Sequence, residues 1–94
     1  MMQTDVRSTH SNTSALLYAG RVRLKGVLFT VSGGSPLDHI KFYDAATASG
    51  PVVLEIDSNH SGGLYIQIPG EGILFTTSIY CDLGDADSVT IFYG

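Results

Sequence analysis

The feature that most constrains this chain is a period of two. Apolar and polar residues alternate in short runs, and each run stops at a cluster of Gly, Pro, Asn, Asp or Ser. Successive side chains on a strand point to opposite faces, so such alternation marks a strand with one buried face. Val22 and Leu24 alternate with Arg21, Arg23 and Lys25, and Val27, Phe29 and Val31 then continue on the opposite parity. The parity changes at Gly26-Val27, where a glycine inside a strand predicts a bulge or a corner. The stretch from Arg21 to Val31 is therefore one long bulged strand or two strands around a bend. Ile40 and Phe42, then Val52, Leu54 and Ile56, then Leu64, Ile66 and Ile68 repeat the pattern. Ile79, Cys81 and Leu83, then Val89, Ile91 and Tyr93 complete it. Between the runs lie Ser32-Gly33-Gly34-Ser35-Pro36, the small-residue stretch Asp44 to Gly50, Ser58 to Gly63, Pro69-Gly70-Glu71-Gly72 and Gly84-Asp85-Ala86-Asp87. No segment sustains a helical period.

Short strands at about 10-residue spacing with turn chemistry between them predict an all-β fold. The expected architecture is a small antiparallel β-sandwich, jelly-roll-like, of seven or eight short strands. Its expected interior is Val22, Leu24, Phe42, Leu54, Ile56, Leu64, Ile66, Ile68, Ile79, Cys81, Val89 and Ile91. With 94 residues there is room for one domain, placed at residues 14–94, preceded by a polar arm over residues 1–13. That arm holds one apolar residue beyond its methionines, Val6, and so cannot fold by itself.

Charge narrows the function classes. Charged residues make up only 15% of the chain, against a usual level of about 25%. A surface so poor in charge suits a subunit whose faces are covered. All five basic residues (Arg7, Arg21, Arg23, Lys25, Lys41) precede residue 42, and from Asp44 onward there are seven acidic residues and no Lys or Arg. With a net charge of −4, this balance argues against a nucleic-acid partner. No apolar run approaches the about 20 residues of a membrane span, and Met1 to Arg7 has no apolar signal-peptide core. On a strand, Arg21, Arg23 and Lys25 would project as a basic stripe. It is either a solvated face or a complement to an acidic surface on a neighbour.

Candidates for chemistry are sparse. Cys81 excludes an internal disulfide, and with no basic neighbour it reads as a small core residue. His10, His39 and His60 share no ligand spacing, so neither a metal nor another cofactor is expected. Asp82, Asp85 and Asp87 form either an Asp-rich turn or a calcium loop, though they lack the later bidentate Glu of an EF-hand. Tyr43, Tyr65 and Tyr80 fall on the polar parity of their strands. They are ordinary strand residues, a protein contact, or, if aligned in space, a sugar-stacking platform. No catalytic constellation is legible, and an enzyme is not expected.

Much of the chain resembles small proteins encoded by marine tailed phages of cyanobacteria and related hosts. The residues that carry the resemblance are Gly20-Arg21-Val22-Arg23-Leu24-Lys25-Gly26-Val27, Ile40-Lys41-Phe42-Tyr43-Asp44 and Gly50-Pro51-Val52-Val53-Leu54-Glu55-Ile56. Ile68-Pro69-Gly70-Glu71-Gly72-Ile73-Leu74-Phe75 and Ser88-Val89-Thr90-Ile91-Phe92-Tyr93-Gly94 carry it further, so that it spans about residues 19 to 94. The resemblance implies a virion structural protein, made in the host cytoplasm, with capsid decoration (cement) or a head-tail accessory part as its place. The implied partners are the major capsid or other virion proteins. From the residues themselves, a closed cyclic homo-oligomer is expected; if the chain decorates a capsid, as the resemblance implies, a trimer stands slightly ahead of other orders. Carbohydrate or receptor binding on the virion surface or tail is the rival reading.

Overall fold

The computed structural model describes residues 6–31, 38–58, 62–84 and 86–94. Among the described residues there are nine strands: β1 (Arg7–Ser11), β2 (Ala15–Ala19), β3 (Val22–Val31), β4 (Asp38–Tyr43), β5 (Val52–Ser58), β6 (Gly62–Gln67), β7 (Ile73–Phe75), β8 (Ser78–Asp82) and β9 (Ala86–Tyr93). They form two antiparallel sheets. One has the order β1-β9-β3-β6, with β7 also paired to β3; the other has the order β2-β8-β4-β5.

The connectivity is that of a hairpin rolled into a sandwich. β1 pairs β9, β2 pairs β8, β3 pairs β6 and β4 pairs β5. The pairings β3-β9 and β4-β8 then close each sheet. This is the jelly-roll plan, in which two Greek keys share one core. The thin dimension of 19 Å suits two sheets stacked about 10 Å apart.

The interior comes from alternate positions on both sheets. Leu24, Val27, Phe29, Val89 and Ile91 meet Ile40, Phe42, Ile79 and Cys81, all essentially inaccessible to water. In β3 the bulge lies where the sequence places it: Leu24 pairs Tyr93 and Gly26 pairs Phe92, leaving Lys25 as the extra residue. The buried positions accordingly move from Val22 and Leu24 to Val27, Phe29 and Val31.

Three expectations change. Among the described residues the strands number nine rather than seven or eight. The additions are β7, a three-residue strand too short to show alternation, and β1, which lies in the stretch read as a polar arm. β1 is an edge strand hydrogen-bonded to β9 of its own chain. Its polar side chains are no obstacle, because a ladder uses backbone groups. Nine of the twelve expected core residues are buried, but Leu54, Leu64 and Ile66 are only partly so. They sit on β5 and β6, which end their sheets and have a partner on one flank only. Leu17, Val27, Phe29, Val31, Ile40, Phe75, Leu83 and Tyr93 join the core as well.

β6 and β7 run end to end along β3. Gly26 pairs Gln67 and Val22 pairs Phe75, so the register slips by four residues between them. Those four are Pro69–Gly72, looped out with Gly70 and Gly72 at positive φ. A Cβ on Gly72 would lie only 2.4 Å from the Leu24 carbonyl oxygen, so this turn requires glycine twice over.

Candidate functional site: the two outer faces

The sandwich turns one row of side chains inward on each strand and leaves the other row to solvent. On the five-stranded sheet, Arg23, Lys25, Leu28 and Thr30 of β3 point outward with Ser88, Thr90 and Phe92 of β9 and Tyr65 and Gln67 of β6. Tyr65 reaches across Gly26, where an added Cβ would lie 2.6 Å from its hydroxyl, and meets Phe92 edge-on at 6.0 Å. Val6, Lys25, Leu28, Tyr65, Gln67 and Phe92 line a shallow, mainly apolar depression of about 410 Å³. Val6 and Tyr65 are each more than half exposed. Toward β1, His10 Nδ1 is hydrogen-bonded to Thr90 Oγ1 at 2.8 Å.

The four-stranded sheet presents two parallel rows. Leu16 stands opposite Tyr80, Tyr80 opposite Tyr43 and Tyr43 opposite Val52, so one apolar row crosses all four strands. Tyr43 and Tyr80 pack edge-on with ring centres 6.4 Å apart. In the next row Lys41 stands between Asp82 on β8 and Glu55 on β5. Leu16 and Val52 are exposed.

These placements sort the expected site residues. Tyr43 and Tyr80 come together, but Tyr65 lies on the opposite face of the sandwich, so the three do not make one platform. Parity alone could not show this, because it gives a residue's face within its own sheet and not which sheet the strand joins. Arg23 and Lys25 share an outer face, whereas Arg21 precedes β3 in an exposed bend. The side chain of His39, the whole of His60 and Asp85, and the Ser32 to Pro36 loop lie outside the described residues. Asp82 Oδ1 accepts from the Gly84 amide at 3.2 Å and from Ser14 Oγ at 3.4 Å, and Ser14 Oγ also accepts from the Leu83 amide. That is turn chemistry. Among the described residues no three His, Cys, Asp or Glu side chains are grouped to hold a metal. Cys81 is fully buried, and burial, with the Asp82 charge adding, pushes its thiol up to about 12.

Two clusters escape sequence reasoning. Asp44 holds the corner between β7 and β8. The Thr76 amide and hydroxyl donate to Oδ2 at 2.9 and 2.8 Å, and the Thr77 and Ser78 amides donate to Oδ1 at 2.7 and 3.2 Å. The Thr76 amide is the largest cause of a carboxyl held down at about 2; desolvation opposes it and the other three donors reinforce it. Arg7 closes the edge between β1 and β2. Its guanidinium lies 5.4 and 5.5 Å from the rings of Tyr18 and Tyr93, which pack at a tilt of 49° with centres 4.8 Å apart, and Tyr93 Oη is hydrogen-bonded to Thr9 Oγ1 at 2.8 Å. An Asp at the start of a small-residue turn was the signal for the first. Nothing local marks the second, whose members are far apart in the chain.

In comparisons with protein-family models, with curated proteins and with solved structures, nothing matches this chain.

Proposed function

We propose that this chain is a non-enzymatic structural subunit of a tailed-phage virion, a capsid decoration or cement protein that binds its own copies and the shell beneath. The observation that carries the reading is the pair of outer faces. Each is a sheet surface crossed by exposed apolar residues: Val6, Leu28 and Tyr65 on one, Leu16 and Val52 on the other. Exposed apolar patches of this kind mark contact surfaces. A subunit that bridges neighbours in a lattice stabilises only the assembled state, by mass action, and needs no reactive group. The resemblance noted above supports the same class of protein, and a homo-oligomer, a trimer first, is its expected form.

The test is co-sedimentation of the purified protein with phage heads stripped of accessory proteins. Saturable binding at a fixed ratio to the shell subunit, with heads that then resist heat or chelation better, is the expected result. No binding to heads or tails overturns the reading. Saccharide recognition is favoured by one observation, the Tyr43 and Tyr80 pair beside Asp82, Lys41 and Glu55. Rings supply stacking and carboxylates accept from sugar hydroxyls. A glycan array decides it: binding abolished in Tyr80→Ala and retained in Tyr65→Ala would select this reading, since Tyr80 is on that face with Tyr43 and Tyr65 is on the other.

A further inference from the structure

Among the described residues four strands end the two sheets: β1 and β6 on the five-stranded sheet, β2 and β5 on the four-stranded one. An edge strand offers backbone groups to another chain, and proteins deter such pairing with charge, proline, bulges or short length. Three of these edges carry a deterrent. β1 is five residues long and includes Arg7. β2 is also five long, and its pairing with β8 is irregular between Leu16 and Tyr18. β5 carries Glu55 and Asp57, both engaged in interactions within the chain. β6 carries no deterrent: Gly62–Gln67 holds no charged residue and no proline, and its register along β3 is unbroken. The charged residues of that sheet lie on other strands, Arg7 on β1, Arg23 and Lys25 on β3 and Asp87 on β9, with Glu71 in the turn beyond β6.

The Ile68 amide donates to the Lys25 carbonyl at 3.1 Å, continuing the register in which Gln67 stands opposite Gly26. Peptide groups alternate in direction along a strand, so those of Leu64 and Ile66 also face β3, and those of Gly63, Tyr65 and Gln67 face the open edge. The Tyr65 ring does not cover that edge, because it leans the other way, over Gly26 toward Phe92. From this we infer that β6 pairs antiparallel with β6 of a second copy, about a two-fold axis at Tyr65, and joins two five-stranded sheets into one. In this register Tyr65 faces its own copy and Gly63 faces Gln67, each pair exchanging backbone hydrogen bonds. Leu64 then faces Ile66 at the closer, non-hydrogen-bonded spacing. Both lie on the inner face, opposite buried Phe29 and Val27, and both are only partly covered. The second copy supplies the apolar neighbour that each lacks. The occupant is another copy because the strand complements itself in this register and opposes no like charges. An isologous contact closes at two chains, so the edge selects a pair, whereas the trimer named above follows from the resemblance. The inference rests on the self-association part of the proposed function and not on a place in a virion, so a monomer that still binds stripped heads defeats it alone.

Size and amide exchange, measured together on the full chain, test it. By sedimentation velocity the wild type is expected to pass from monomer to dimer as its concentration rises to hundreds of micromolar. Over the same range the Gly63, Tyr65 and Gln67 amides should slow in hydrogen exchange by about tenfold or more. Tyr65→Lys and Tyr65→Glu each set like charges across the axis and should weaken the dimer by about tenfold or more, and an equimolar mixture of the two should restore it. Gly63→Pro should also weaken it, because it removes an edge-facing N–H while its side chain has room, the nearest atom to an added Cβ being Thr30 Cγ2 at 3.9 Å. It keeps the test open should a Tyr65 variant misfold, and circular dichroism with thermal melting shows which variants are folded. The inference is overturned if the wild type stays monomeric throughout, or if it associates while those three amides exchange as fast as before. It is also overturned if the folded variants dimerise as the wild type does, or if folded Tyr65→Lys and Tyr65→Glu stay apart when mixed.

Discussion

The two flanks of the sandwich are closed in different ways. At the β1/β2 flank, an arginine lies against two tyrosines packed at a tilt, Thr9 holds a tyrosine hydroxyl, and Ser14 ties the start of β2 to the end of β8. Tyr93 is buried there although it is nearly the last residue. At the β5/β6 flank, Leu54, Leu64 and Ile66 are only partly covered. Specific polar and aromatic contacts seal one side, while loosely covered aliphatic residues make up the other. A jelly roll this small has too little interior to bury both edges by apolar packing alone. Each flank also leaves two edge strands, β1 and β2 on one and β5 and β6 on the other, that pair on one side only among the described residues, and an assembled state can cover them.

The contrast can be broken most forcefully at its centre. Phe42→Ala, between the flanks and fully buried, should cost about 3–5 kcal/mol in urea unfolding. Ile66→Ala, on the open flank, should cost about 1–2 kcal/mol, because a half-buried side chain forfeits less transfer energy and leaves no closed cavity. Equal losses for the two would show that the open flank is as well packed as the core.

Asp44 should give the next effect. Asp44→Asn should cost about 1–2 kcal/mol at neutral pH once solvent screening is allowed for. The sign of its pH dependence follows from the carboxyl's fall from 3.8 to about 2 on folding. The unfolded chain takes up the proton first, so the contribution is complete above about pH 5 and is lost as pH falls through 3.8 toward 2. Acid titration of unfolding should therefore show a slope in the wild type that is reduced in Asp44→Asn.

Arg7→Ala should loosen the sealed flank by about 0.5–1 kcal/mol. Hydrogen exchange should rise first in β1 and in the outer edge of β9. The smallest effect is expected at Cys81, midway between the flanks. Its buried thiol, pushed up to about 12, should not react with an aromatic disulfide reagent until the protein unfolds. Rapid labelling under native conditions would mean that the sheets part far more readily than their packing suggests.

Much of the fold was legible in the chain alone, because the period of two and the turn residues act locally. Val22 and Leu24 on one parity, Val27 and Phe29 on the other, and the glycine between them give the bulge in β3 without reference to any other strand. The alternation of Ile79 with Tyr80 and Cys81 with Asp82 likewise gives the inner and outer sides of β8. What alternation cannot carry is the partner of each strand. Tyr43, Tyr65 and Tyr80 have equal claims in the sequence, yet only the pairing of β8 with β4, and of β6 with β3, separates them onto opposite faces. The carboxylate of Asp44 and the amides of Thr76 and Thr77 are 32 and 33 residues apart, and Thr9 and Tyr93 are 84 apart. Contacts over such distances depend on how the rolled hairpin closes. That closure is set by the joint burial of two inner faces and by which edges remain, a property of the whole assembly of strands rather than of any one of them.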